Sequence, residues 1–343
     1  MSSSPAAVSR LRAYLRFIAA VLWFFLARML ARHEALGLAT EQWRPVAEQA
    51  MLLFLLLMGY ASMGFTLDRQ QHPLSAQGLP RRAGWLGETG MGLAIGWAIA
   101  VACVLPMVVG GGVAIVLILE RSAWGWLAVD AAYFAILAMA EELTYRGYGF
   151  QRFEQSVGSL GATLGFAAFY VIMQTLQPGS NHASIAVSLV LSLVLSLAYV
   201  RTRALWVSWG INFGWKASRA LLFGLAISGD SSHSPVVQGN PMGSFWLTGG
   251  GFGLDASWVT FAVLLIALPV VYRLTRELDF RYNEPEIVAG GIPVDLDAAA
   301  RQQHEAAMGP AAVAAPPLVQ ILPLPPSPSH QEQTNPSDEP PHL

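Results

Sequence analysis

The sequence predicts an all-α polytopic membrane protein: a transmembrane bundle of about eight helices, or seven if the first apolar segment does not cross, followed by a disordered C-terminal tail. Three observations predict it. Only 12% of the 343 residues are charged, whereas a soluble domain carries about 25%, so most of the surface must face lipid. The mean hydropathy is +0.46. Apolar runs approaching the roughly 20 residues needed to cross a bilayer recur along the chain.

The first run, Phe17–Ala27, lies between Arg16 and Arg28. It can span if both arginines snorkel to the interfaces, or lie flat as an amphipathic segment. Arg28 stands where a small-residue cleavage site would follow a signal peptide, which argues against one. Seven longer runs follow: Ala50–Leu67, Thr89–Val109, Leu127–Ala140, Gly161–Leu176, Ala183–Val200, Ala204–Ile227 and Ser257–Tyr272. The chain therefore divides into a basic N-terminal segment, 1–49, a multi-span membrane domain, 50–280, and a Pro-rich cytoplasmic tail, 281–343. Within the tail, Leu318–Leu343 is rich in Pro, Ser, Gln and Glu and has no hydrophobic periodicity, the pattern of a disordered segment; Ala298–Met308 reads as a short helix.

Cytoplasmic loops of membrane proteins are enriched in Lys and Arg. With eight spans and both termini in the cytoplasm, the inner segments hold Arg10, Arg12 and Arg16; Arg69, Arg81 and Arg82; Arg146 and Arg152; Arg201 and Arg203; and Arg273, Arg276, Arg281 and Arg301. The outer segments hold Arg28, Arg32, Arg44 and Arg121, and the long outer loop Gly229–Ala256 has no Lys or Arg. The expected location is the cell membrane and the expected partner is its lipid bilayer. The net charge of −2 and the absence of any basic run give no sign of nucleic-acid binding. A single cysteine, Cys103, excludes an internal disulfide and a Cys-based zinc site. Gly249-Gly-Gly-Phe-Gly253 follows no strand and reads as a turn before the last span, not as a phosphate cradle.

Charge inside a bilayer costs at least ~2.5–3.5 kcal/mol per residue on insertion scales, so the few charges placed there carry the most information. Glu141-Glu142-Leu-Thr-Tyr-Arg146 ends the helix that begins near Leu127. Residues four apart share a helix face, so Glu142 and Arg146 can pair. Adjacent glutamates point about 100° apart, so one can face a cavity while the other pairs. The bland reading is a structural ion pair; the sharper one is a carboxylate acting as general base for water. Asn212 and Lys216, the only lysine, are again four apart, with Arg219 on a neighbouring stripe. A lysine in mid-membrane needs a counter-ion. Glu141 or Glu142 is the expected partner, with Asp130 the main competitor. His182, in a short turn, is expected to be exposed, and Met173 and Gln174 to pack in the span after the glutamates.

The motif Glu141-Glu142-x-x-x-Arg146-Gly147 resembles the first motif of the CAAX-protease and bacteriocin-processing family (CPBP, or Abi), which are intramembrane endopeptidases. Tyr199-Val-Arg-Thr-Arg-Ala-Leu-Trp206 is similar to the stretch before the family's third motif, and Gly210-Ile-Asn-Phe-Gly-Trp215 to that motif's helix. Leu247-Thr-Gly-Gly-Gly-Phe-Gly-Leu-Asp-Ala-Ser257 is similar to the glycine-rich segment before the last helix. The likeness covers Trp85–Tyr272. It implies a CAAX-protease-like core with a water-accessible cavity, in which the first Glu and a second-motif His activate water or a metal-bound water, and a third-motif His and Asn stabilise the oxyanion. Zinc is the metal it suggests, and membrane proteins or lipidated peptides are the partners.

This chain departs from that pattern at both histidines. Met173 stands four residues after Phe169, where the second-motif His belongs; Asn212 replaces the third-motif His and Lys216 its Asn. Loss of a general base or metal ligand removes about 10²–10⁴-fold in rate or more. Zinc prefers N and S ligands, and an ammonium repels a divalent ion, so no metal cofactor is expected. Three readings stay open: a catalytically impaired homologue that keeps the cavity for binding or scaffolding; an active glutamate-dependent endopeptidase with Asn212 and Lys216 as oxyanion donors; and a transporter-like proton relay, which the lack of an internal repeat disfavours.

Overall fold

The computed structural model describes residues 5–233 and 235–283, together with Ile287, Val288, Ile292 and Pro293. The tail expected to be disordered, Leu318–Leu343, and the short helix expected over Ala298–Met308 lie outside the described residues. Two compact units result, Met1–Glu284 and Pro285–Leu343. Of the second, the described part is the antiparallel pairing of Ile287–Val288 with Ile292–Pro293.

Among the described residues of the first unit, eight longer helices form the bundle: α1 (Pro5–Leu38), α2 (Arg44–Leu67), α3 (Trp85–Val109), α4 (Arg121–Arg146), α5 (Tyr148–Thr175), α6 (His182–Thr202), α7 (Leu205–Ala217) and α8 (Trp258–Leu274). Among the described residues, five stretches are long and apolar enough to cross a membrane: Ser9–Leu38, Glu41–Leu67, Trp85–Val109, Arg121–Thr175, which holds both α4 and α5, and His182–Thr202; α8 is a shorter apolar helix.

The first apolar run belongs to one continuous helix that passes straight through Arg28. Ala20, Phe24, Ala27 and Ala31 recur at helical spacing and are buried, while Leu22, Phe25 and Met29 on other faces are exposed. Arg16 donates to the Leu67 carbonyl at 2.7 Å and Trp23 to that of Leu55 at 3.1 Å. These contacts run α1 antiparallel to α2, lengthwise in the bundle. α4 and α5 are separated by Gly147, where a Cβ would collide with the Leu143 carbonyl, and α5 bends at Gly158, whose φ of 84° favours glycine.

α3 and α7 make the closest helix contact. A Cβ at Gly96 would fall inside van der Waals distance of the Ile211 carbonyl, and one at Gly214 inside that of Leu93. Such glycines let backbones approach in a membrane, where dispersion has to do what the hydrophobic effect does in water. Overpacking typically costs 1–3 kcal/mol, and here the obstacle is backbone. Gly96→Val is therefore expected to lose at least about 2 kcal/mol, seen as a lower melting temperature in detergent, whereas Gly87→Val, with open space around it, is expected to leave it unchanged.

The expected span Ala204–Ile227 is corrected. α7 stops at Ala217 and continues as a π-helical turn, Ser218–Leu222. At Gly224, with φ 65°, the chain meets the strand pair formed by β1 (Val113–Leu117) and β2 (Val237–Pro241), Gly239 donating to Gly224 at 2.9 Å. Apolar composition continued past the point where Arg219 and this close backbone approach end the helix.

The two ends of the bundle differ in charge. At one end Asp68 takes Arg16 at 2.6 Å and Arg152 at 3.2 Å, Arg82 pairs with Glu88 at 2.7 Å, Arg203 with Glu154 at 2.9 Å, and Arg201 with Asp279 at 2.9 Å. These are arginines that the sequence assigned to a single side. The opposite end holds the β1–β2 pair and the turn Gly249–Gly253, in which Gly249, Gly250 and Gly253 all have positive φ.

Candidate functional site

The last turns of α4 deliver the two glutamates in different directions, as their adjacency requires. Glu142 points into the bundle and pairs with Arg146 at 3.0 Å, both side chains fully buried. Arg146 also donates to the Ser192 carbonyl at 3.3 Å and to the hydroxyls of Ser192 and Ser196, each at 3.4 Å. This guanidinium therefore fastens α4 to α6. Glu141 points elsewhere: its Oε1 lies 3.1 Å from Lys216 Nζ, and its Oε2 accepts from Asn212 Nδ2 at 2.9 Å. The same Asn212 amide nitrogen reaches Glu142 Oε1 at 3.0 Å. Asn212 and Lys216 share a face of α7, which packs against α4. Glu141, Glu142, Arg146, Asn212 and Lys216 thus form one connected cluster, and the lysine's partner is Glu141.

Glu141 borders a polar cavity of about 200 Å³ that lies among α1, α2, α4 and α5. Met173 lines it, so the residue in the second-motif position does face the space beside Glu141, together with Thr144, Tyr145, Tyr170 and Gln174. His182 does not line it; it begins α6 and is exposed.

Two buried clusters escaped the sequence reading. Arg219 pairs with Asp255 at 2.7 Å and stacks over Trp215 at 3.9 Å. Asp255 Oδ2 also accepts from the backbone nitrogen and hydroxyl of Ser228, at 3.1 and 3.0 Å, and that hydroxyl accepts from Gln174 at 2.9 Å. Asp130, the proposed competitor for Lys216, is instead bonded to His233 at 2.8 Å, whose ring stacks on Tyr133. Neither partnership follows a fixed spacing. A weak signal for Asp255 existed in its place inside the glycine-rich segment, the one acid in an apolar neighbourhood.

The donor set does not suit a divalent metal. Two buried acceptors, Glu142 Oε2 and Asn212 Oδ1, have no hydrogen-bond partner, but a cation placed there would meet the charges of Arg146 and Lys216. Among the described residues no three His, Cys, Asp or Glu side chains converge.

The fold and this cluster define a multi-pass helical membrane protein with a buried carboxylate–cation site at the edge of a polar cavity. Residues 122–218, from α4 to just past α7, match the family model described as type II CAAX prenyl endopeptidase Rce1-like. The matched stretch holds every residue of the cluster and is similar to that family. It is narrower than the Trp85–Tyr272 likeness read from motifs. No curated protein and no solved structure matches the chain.

Proposed function

We propose that this is a binding homologue of CAAX-type endopeptidases, in which the family's cavity is retained and its water-activating chemistry is lost, with no metal cofactor. It resides in the cell membrane with both termini cytoplasmic, an orientation supported by the arginine-rich end of the bundle. The observation that carries the reading is the occupation of Glu141: one carboxylate oxygen faces Lys216 at 3.1 Å and the other Asn212 at 2.9 Å. Each Glu141 oxygen is thus held in an interaction that water activation would have to break or share. Met173 supplies no second base.

The test is cleavage. Purified protein in detergent, incubated with a prenylated CAAX peptide, is expected to release no product above that of Glu141→Ala. Glu141-dependent turnover would overturn the proposal in favour of a peptidase using Asn212 and Lys216 as oxyanion donors.

A further inference from the structure

We propose that the β1–β2 pair and the short helical turn Phe245–Thr248 lie in the headgroup layer of the bilayer, at the end of the bundle opposite the Asp68 arginine network, and anchor that end to lipid. β2 and the turn fall in the stretch Gly229–Ala256 that the sequence reads as an outer loop. The anchor is independent of the binding role above and of which way the bundle is inserted.

Composition and exposure point to lipid first. Neither 110–119, which contains β1, nor 236–254, which contains β2 and the turn, has an Asp, Glu, Lys, Arg or His. Ile115, Val116 and Leu117 are consecutive in β1 and all exposed. Successive strand residues point to opposite faces, so both faces of β1 are uncovered there. Met242 is 73% exposed and Trp246 64%, with Phe245 exposed beside it. Met242 and Gly243 donate to the Gly112 carbonyl, each at 2.9 Å, which joins the two exposed segments at one level. Exposed apolar surface of this kind marks a contact with protein or membrane, and Trp is enriched where a bilayer meets water. Gln238 and Asn240 on β2 are exposed as well, neutral groups that a headgroup layer can hydrogen-bond.

The depth is bounded from both sides. α3 has 25 residues and is about 37 Å long at roughly 1.5 Å per residue, which exceeds a hydrocarbon core of about 30 Å. Its last residue, Val109, therefore reaches the headgroup layer, and β1 begins just beyond it, after the glycines 110–112. Ser257, which caps α8, donates to the Leu247 carbonyl, so the turn is tied to the end of a second apolar helix. Deeper placement is excluded by the backbone. β1 pairs with β2 on one side and, among the described residues, with no strand on the other, and the N–H and C=O groups of an open sheet edge do not occur in hydrocarbon. Water is disfavoured by the side chains, and an apolar edge strand in water is a template for pairing with another copy. The headgroup layer meets both demands: it hydrates the open edge and takes up the apolar side chains.

Depth-resolved quenching tests this. Cys103 is fully buried, so Cys103→Ser is the background for Leu117→Cys, Met242→Cys and Trp246→Cys, with Ser231→Cys, at an exposed position beside Asp230, as the water-facing reference. Each is labelled with bimane and placed in phosphatidylcholine nanodiscs, with iodide in the buffer or with a lipid carrying a nitroxide at the headgroup or at the chain end. The three labels are expected to lose most of the iodide quenching seen at Ser231→Cys, and to be quenched several-fold more by the headgroup nitroxide than by the chain-end one. Three positions on two segments keep the test decisive where one substitution disturbs folding. Iodide quenching equal to that of Ser231→Cys would place the segment in water and overturn the anchor. Stronger quenching by the chain-end nitroxide would overturn the depth. Shielding from every quencher would mean that protein, such as a second copy paired along β1, covers the surface, and would overturn lipid as its partner.

Discussion

Arg146→Met is expected to destabilise the folded protein by about 3–5 kcal/mol, the usual penalty for stranding one member of a fully buried ion pair. Glu142 would lose the cation it pairs with, and Ser192 and Ser196 would lose their shared donor. The sign depends on the partner left behind, which makes the prediction discriminating. Replacing both members, Glu142→Gln with Arg146→Met, is expected to return a large part of the loss, because neither member is left as a stranded charge. Arg146→Lys is expected to fall between wild type and Arg146→Met, since a point charge can pair with Glu142 but cannot fork across to α6. The measurement is the melting temperature of the four proteins in one detergent. Equal melting of wild type and Arg146→Met would show that this pair is not a fastening between α4 and α6.

The helices were legible because lipid enforces a simple rule: every spanning backbone must satisfy itself, and apolar length then marks the spans. The same rule misled at Ala204–Ile227, where composition stayed apolar while the α-helix ended at Ala217 and its π-helical continuation at Leu222. Nothing local announces that a neighbouring strand will meet Gly224. In the site, pairs on one helix were legible from four-residue spacing: Glu142 with Arg146, and the shared face of Asn212 and Lys216. The assignment of Glu141 to Lys216 was reachable because the chain has a single lysine. Arg219 with Asp255, 36 residues apart, and Asp130 with His233, 103 apart, depend on tertiary packing and carry no spacing rule. One signal was present and unused. Ser184, Ser188, Ser192 and Ser196 repeat every four residues along α6 and are all buried, a stripe of small hydroxyl side chains that marks where Arg146 and neighbouring helices come close.

Met173→His, Asn212→His and Lys216→Asn, made together, are expected to give a protein that binds zinc stoichiometrically, with Glu141-dependent peptide cleavage appearing in the same preparation. The argument runs through Lys216 first. As long as its ammonium sits 3.1 Å from Glu141, a divalent ion pays Coulomb repulsion at close range, so adding imidazoles alone is expected to gain little. Lys216→Asn alone frees a carboxylate oxygen but supplies no nitrogen donor, and zinc sites rest on N and S ligands. Only the combination removes the repulsion and adds ligands at two positions, one lining the cavity and one within hydrogen-bonding reach of Glu141. General base or metal-ligand residues are each worth about 10²–10⁴-fold in rate, so the step from wild type to triple variant should take cleavage from background to readily measured, and Glu141→Ala in the triple background should return it to background. A triple variant that stays folded and monodisperse yet takes up no zinc would show that the missing histidines are not what separates this cavity from a catalytic one, and the proposed loss of chemistry would then need another cause, such as the geometry of Glu141 itself.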